Sequence, residues 1–142
     1  MERERLWRAL REGAQNAVRT ILVLAKVMVP ATLLVTFLEL SGLLPQLAKR
    51  FAPAMALLGL PGEAAIALVA GNLSSMYAGV GAMAALELTV KQRLILAAML
   101  MLSHSLPQEG AIVLQAGGRA LQVVGVRILT ALATGMVLNM FF

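Results

Sequence analysis

The sequence has no cysteine, no aspartate and a single histidine, His104. The lack of cysteine excludes disulfides, thiolate metal sites and thiol nucleophiles. One histidine is too few for an ordinary zinc site, and nothing around Ser103, His104 and Ser105 supplies the oxyanion hole that a catalytic serine needs. We therefore expect neither an enzyme nor a metal cofactor, and the glutamates are the side-chain carboxylates available for ion chemistry.

Charged residues are also scarce. They make up 13% of the 142 residues, whereas 60% are hydrophobic, which leaves too little polar surface to cover a soluble protein of this size. The sequence therefore predicts an all-α integral membrane protein. The formal net charge of +5 is concentrated at the N-terminus and near the breaks between apolar stretches. This pattern is typical of orientation in a lipid bilayer and argues against a nucleic-acid partner.

The N-terminal region divides at about residue 19. In residues 1–19, Leu6, Trp7 and Leu10 share one helical stripe and arginines cover the other side. Either a basic amphipathic helix in the lipid headgroup region or a solvated lead into the membrane fits this pattern. Residues 20–41 have the length and composition of a first transmembrane helix. With the apolar stretches that follow, we expect a multi-pass protein of the cell membrane whose N-terminus is cytoplasmic.

The chain contains one sequence motif twice, as LPGEAAIALVAG at 60–71 and LPQEGAIVLQAG at 106–117. Eight of the twelve aligned positions are identical, so shared apolar composition does not explain the match. Each copy places a glutamate just after a proline, at the expected start of a short helix. We therefore expect a membrane domain over residues 20–142 that contains two repeat units, at about 43–88 and 89–142.

Two topologies fit the breaks in these units. In the first, 52–70 and 92–116 are re-entrant helical hairpins, each followed by one crossing, at 72–88 and 119–141. In the second, 62–88 and 92–116 are discontinuous helices that cross the membrane. The repeat and the charge distribution favour the first, because a unit of one hairpin and one crossing reverses its orientation between copies. We therefore predict an inverted repeat whose two hairpin tips approach each other near the midplane.

Irregular backbone at membrane depth is tolerated only where it is buried in protein or lines a polar cavity. The breaks therefore predict a midplane site for a small polar solute, with Glu63 and Glu109 available to hold Na⁺ or to carry H⁺ as the coupling ion. Helices that begin near Pro61 and Pro107 would add free amides and a partial positive charge. The predicted solute-binding residues are Glu63, Asn72, Ser74, Ser75, Tyr77, His104, Ser105, Gln108 and Glu109.

Several of these residues also fit a structural role. A glutamate in the first turn of a helix is a common capping arrangement, and this is the alternative for Glu63 and Glu109. His104 fits a hydrogen-bonding role in a turn. Arg127, inside the last apolar stretch, is expected either to pair with a glutamate or to extend its side chain to the inner membrane face.

Two strings give the chain a family resemblance, GNLSSMYAGVGAM at 71–83 and SHSLPQEGAIVLQAGG at 103–118. In their order, and over roughly residues 25–140, they resemble the gate, or nucleoside-recognition, domain. That domain also occurs in spore maturation proteins A and B and in the membrane part of the ferrous-iron transporter B. It is similar to the transport core of concentrative nucleoside transporters, in which hairpin tips and unwound helices hold the nucleoside and Na⁺.

The resemblance implies roles for particular residues. Gln108 and Glu109 match one solute-binding tip and Glu63 the opposite tip, although Gly62 stands where the nucleoside transporters have glutamine. The residues that match an unwound segment are Asn72, Ser74 and Ser75.

The resemblance also implies a function and partners. It implies a minimal transport core for a nucleoside-like or other small polar solute, completed by forming a homo-oligomer or by pairing with a second gate-domain protein. The alternative is a non-transporting membrane assembly partner of another gate-domain protein, as in spore maturation.

Overall fold

In the computed structural model, the chain folds into helices joined by short turns. The structure describes residues 2–142, and the side chains of residues 5–142 other than Leu24, Val27, Met28, Ala31 and Glu39. The helices of this part of the chain are α1 (Glu2–Leu40), α2 (Leu43–Ala56), α3 (Ala64–Leu73), α4 (Met76–Ala84), α5 (Val90–Ser103), α6 (Leu106–Gln115) and α7 (Ala120–Phe141). The predicted all-α class is confirmed.

The first helix is continuous across the boundary predicted at residue 19. Its 39 residues give it a length of about 58 Å. Each residue from Arg5 to Val23 is exposed, whereas the second half of α1 packs against α2 and α4. There, Val35 is fully buried and the Thr32 hydroxyl donates to the Gly81 carbonyl at 2.9 Å. The packed body of the protein therefore begins in the second half of α1.

The third and fourth helices form a hairpin that turns at Ser74 and Ser75. They pack side by side, and Gly71, just before the turn, lies against Gly79, just after it. A Cβ atom on Gly79 would stand 3.0 Å from the Gly71 Cα atom, so the absence of side chains allows this approach. Leu100 of α5, which is fully buried, contacts both glycines.

This hairpin changes the expected arrangement of the first unit. The segment predicted as a crossing, 72–88, contains the hairpin turn and α4, which has 9 residues and a length of roughly 13 Å. That length is less than half of a hydrocarbon core of about 30 Å. The tight hairpin therefore lies at 64–84, later in the chain than the predicted 52–70.

The last helix packs antiparallel along both α5 and α6. Gly135 lies against Met99 and Gly110 faces Val124. Residues late in α7 therefore contact α5, and residues early in α7 contact α6. Because one helix runs along both, α5 and α6 follow each other in line. Residues 92–116 therefore form a broken helix, as in the second predicted topology, and differ from the re-entrant hairpin that we favoured.

The two repeat copies, in α3 and α6, run in the same direction. The turn before α3 places Gly59 against Asn139, and Lys91 at the start of α5 donates to the Asn139 carbonyl at 3.3 Å. At the other end of α3, Asn72 accepts a hydrogen bond from Ser103 at the end of α5. Therefore α3 is parallel to α5, and hence to α6. The structure differs here from the inverted repeat that we expected.

The core lies where α3, α5 and the turn after α2 meet. Its largest fully buried hydrophobic side chains include Leu58, Ile95, Leu96 and Leu100. By contrast, α7 buries Ala131 and Gly135 among its 22 residues. Among the described residues, α7 is the one helix long and apolar enough to cross a membrane by itself.

The turn before α3 yields a test of this packing. Replacing Gly62 with alanine would make the new Cβ atom overlap the backbone carbonyl of Ala48 in α2. We expect the free energy of unfolding to fall by about 1–3 kcal/mol, seen as a lower Tm of the purified protein. Gly125→Ala is the matched control, because nothing lies within 4 Å of its added methyl group and alanine favours a helix. Equal Tm values for the two variants would contradict the close contact.

Candidate functional site

The turn of the α3–α4 hairpin and the break between α5 and α6 lie side by side. The Ser105 amide donates to the Gly71 carbonyl at 2.9 Å, and the Ser103 hydroxyl donates to Asn72 Oδ1 at 3.0 Å. The same hydroxyl also reaches the Met99 carbonyl at 3.0 Å, so two acceptors share one proton. These bonds do not use the NH₂ group of Asn72, which is therefore available to a solute.

Ser105 holds a strained backbone at the break. Its φ of 54° and ψ of 36° are left-handed, and it is the one non-glycine residue with positive φ in the described part of the chain. Such a conformation costs about 1–3 kcal/mol and persists only where the surroundings impose it. Here Ser105 is 8% exposed, with its amide bonded to Gly71 and its carbonyl to the Glu109 amide. A strained residue held by tertiary contacts marks the break as a candidate functional position.

A charged cluster adjoins the break on its α6 side. Glu109 pairs through one carboxylate oxygen with Arg127 of α7, and its other oxygen lies 3.7 Å from His104 Nε2. His104 Nδ1 lies 3.1 Å from the Leu100 carbonyl, which only accepts hydrogen bonds, so Nδ1 carries a proton. A neutral His104 therefore turns the lone pair of Nε2 toward the carboxylate, whereas a protonated ring is attracted to it.

The pairing of Arg127 decides between the two alternatives predicted for it. The Arg127 and Glu109 side chains are 26% and 28% exposed, and an arginine within an apolar helix requires such a counter-charge. A cation at Glu109 would have to compete with this guanidinium. Arg127 Nε is buried and has no hydrogen-bond partner among the described residues, and no group of three or more His, Cys, Asp or Glu side chains in that part of the chain is placed to hold a metal ion.

Four other predicted residues lie near the two breaks, with different surroundings. Ser75 is used locally, because its hydroxyl accepts the Ala78 amide at 3.2 Å and caps α4. Ser74 is exposed at the hairpin turn, Tyr77 is 49% exposed on α4, and Gln108 is exposed in the first turn of α6. Ser74, Tyr77 and Gln108 therefore present side chains that a solute could reach.

Glu63 lies apart from this cluster. It directly precedes α3 and makes no side-chain cap, so the capping alternative does not describe it. Asn72 is near the opposite end of α3, which places the two residues roughly 14 Å apart along the helix axis. The structure therefore does not bring the two repeat glutamates together at one site.

Ser103 joins the site although it was not among the predicted residues. It is 2% exposed and connects the α5 break to Asn72. A serine that ends a strongly apolar helix, directly before a break, is the signal that could have identified it.

Comparison with known proteins places the chain in a family context. Residues 21–120 match the family described as Gate, nucleoside recognition. The chain is 38% identical over 130 residues to the uncharacterized membrane protein YvoD of Bacillus subtilis (strain 168). This match covers 92% of the chain but 42% of that relative, so the chain spans about two fifths of its length. No solved structure matches.

The ion pair between Glu109 and Arg127 can be tested by separating the two charges. Glu109→Gln leaves Arg127 unpaired, which costs about 3–5 kcal/mol for a fully buried pair. Because these side chains are partly exposed, we expect a loss of about 1–3 kcal/mol and a lower Tm. The double variant Glu109→Gln/Arg127→Gln should recover most of that loss, since no charge is then left unpaired.

The control for this double-mutant cycle is Glu87→Gln, which removes an exposed glutamate outside the described ion pairs and should leave Tm unchanged. The single variant Arg127→Gln completes the cycle, and strictly additive effects of Glu109→Gln and Arg127→Gln would show that the two residues do not interact.

Proposed function

The chain belongs to the Gate (nucleoside recognition) family, and from this we propose that it is a multi-pass cell-membrane protein that binds a small polar solute and carries it across the bilayer. We further propose that the solute is nucleoside-like, with several hydrogen-bonding groups and no net charge. A neutral solute suits a site in which Glu109 and Arg127 already balance each other.

The observation that carries this proposal is the contact between two helix interruptions in a strongly apolar chain. Ser105 and Gly71 join these interruptions through their backbones. Broken helices of transporters occur where the backbone lines a solute site, because unpaired amides are otherwise too costly in lipid. Asn72 and Gln108 offer amide groups that suit the edge of a nucleobase, and the exposed ring of Tyr77 offers a surface for stacking.

The proposed membrane orientation follows from helix directions and charge. With the N-terminus cytoplasmic, the span predicted at 20–41 within α1, the broken helix α5–α6 and α7 would make three crossings. The α3–α4 hairpin would be re-entrant from the outer side, since each arm spans roughly half of the membrane. Its turn and the α5–α6 break would then meet deep within the bilayer.

Ion coupling is part of the proposal. Glu109 would carry H⁺, with His104 as its neighbour, because proton binding can be coupled to release of Arg127. Glu63, which forms no described ion pair, is the candidate for Na⁺. Because the two glutamates lie apart, they would act at different points of the cycle.

A second candidate function is a non-transporting assembly partner of another gate-domain protein. It is favoured by the many exposed apolar side chains on α1 and α7, which a homo-oligomer or a second membrane protein would cover.

Solute binding can be measured by thermal stabilisation of the purified protein. We expect one or more of uridine, adenosine and guanosine to raise the Tm, equivalent to about 2.7 kcal/mol at a concentration 100 times Kd. Asn72→Ala should abolish this shift without unfolding the protein. Asn16→Ala, which removes an exposed asparagine far along α1, should keep it. Repeating the assay with Na⁺ or at different pH identifies the coupling ion.

The two candidate functions give opposite results in this assay. The assembly-partner function would be supported if none of the nucleosides changed the Tm and a second membrane protein co-purified in stoichiometric amount. Unchanged nucleoside binding by Asn72→Ala would show that the solute site lies elsewhere.

The proposed topology predicts that the two chain ends lie on opposite sides of the membrane. Compartment-sensitive reporters fused before Met1 and after Phe142 should place the N-terminus in the cytoplasm and the C-terminus outside. Both reporters on one side would exclude three crossings. A reporter in the loop at Gly117 is the control and should be cytoplasmic.

A further inference from the structure

A groove that shares only Ser74 with the candidate solute site lies between α1, α3 and α4. Its volume is about 390 Å³, which lies within the range of small-molecule sites. Apolar side chains such as Pro30, Leu34, Ile66 and Ala70 form most of its walls, and Lys26 and Ser74 are the polar residues that line it. The groove therefore suits a ligand that is largely apolar.

The two polar residues lie at the same end of the groove. The bond from Thr32 to Gly81 fixes the alignment of α1 with α4. In a parallel alignment Lys26 lies level with Ser75, and Lys26 and the neighbouring Ser74 both line the groove. An antiparallel alignment would set Lys26 level with residue 87, beyond the end of α4 at Ala84.

The other end of the groove is apolar. It is formed by Val35, Ile66 and Ala82, of which Val35 and Ala82 are fully buried. The groove is thus polar and cationic at one end and apolar along its length. These features complement those of an anionic amphiphile.

We propose that this groove binds one anionic phospholipid, with its phosphate at Lys26 and one acyl chain along Pro30, Leu34 and Ala70. Lys26 is the one charged residue lining the groove, and it belongs to neither ion pair of the described residues. A basic residue between membrane helices is a recognised means of holding an anionic lipid headgroup.

Two further features favour a lipid headgroup at Lys26. Pro30 has no amide hydrogen, so the Lys26 carbonyl lacks its normal helical donor and can accept a hydrogen bond from a headgroup hydroxyl. Lys26 is also six residues beyond the start of the predicted span at residue 20, or about 9 Å along the axis. A lysine side chain at this depth reaches toward the phosphate layer.

The bound lipid would hold α1 against the hairpin. α1 contacts the rest of the protein mainly through α4, with a smaller contact to α2, so an acyl chain packed between α1, α3 and Ala78 of α4 would add to a limited interface. This role does not require solute transport; it shares with the proposed function the membrane location and Ser74.

The test is native mass spectrometry of the detergent-purified full chain, incubated with phosphatidylglycerol or phosphatidylcholine. We expect one phosphatidylglycerol to be retained at least tenfold more than phosphatidylcholine, and to raise the Tm. Lys26→Gln should remove this preference. Lys49→Gln, which neutralises another exposed lysine outside the groove, should not. Ala70→Leu should fill the groove and reduce retention of the lipid at least fivefold.

Each result bears on the proposal. An equal loss of preference in Lys26→Gln and Lys49→Gln would overturn it in favour of nonspecific charge attraction. Unchanged retention in Ala70→Leu, with a lipid-free Tm like that of the parent, would show that the lipid binds elsewhere. If Ala70→Leu does not fold, Leu34→Trp fills the groove from the 53% exposed side chain of α1 and carries the same expectation. Nucleoside binding is measured separately, so its failure would leave this result intact.

Discussion

The backbone hydrogen bond from Ser105 to Gly71 joins the two interruptions on which the arrangement of this protein depends. Each interruption leaves amides and carbonyls without helical partners, and in apolar surroundings such groups must be satisfied within the protein. The chain satisfies part of this requirement by placing one interruption against the other. Ser103 and Asn72 add a side-chain bond across the same contact. The polar residues are therefore gathered at one place because the helix ends require it.

Close approach of the helices depends on small residues at a few contacts. Gly71 and Gly79 allow the two arms of the hairpin to pack closely. Gly135 allows Met99 and Leu58 to pack against the surface of α7. Small residues serve this purpose in membrane helices because dispersion contacts replace the hydrophobic driving force that acts in water. Leu100 of α5 fills the space beside both hairpin glycines and so packs the hairpin against α5. The candidate site is thus supported by packed side chains rather than by flexible loops.

Much of this organisation could be predicted from sequence, and the remainder depends on contacts between distant segments. The apolar runs and the SHSLPQE break predicted α5, α6 and the polar cluster, and Arg127 could be recognised as a charge that needs a partner. The direction of the helices could not be predicted in the same way, because the LPxE motif in each copy does not specify how the chain continues after it. The first copy is followed by a turn at Ser74 that depends on the Gly71–Gly79 contact, and periodicity carries no information about that pairing.

The antiparallel contact of α7 with both halves of the broken helix has a mechanical consequence. The last helix stiffens the break between α5 and α6. Bending α6 away from α5 would separate Glu109 from Arg127 or Met99 from Gly135. Among the described residues, the hairpin turn is attached to the break chiefly by hydrogen bonds from Ser103 and Ser105. Any opening of the site would therefore move the hairpin relative to the unit formed by α5, α6 and α7.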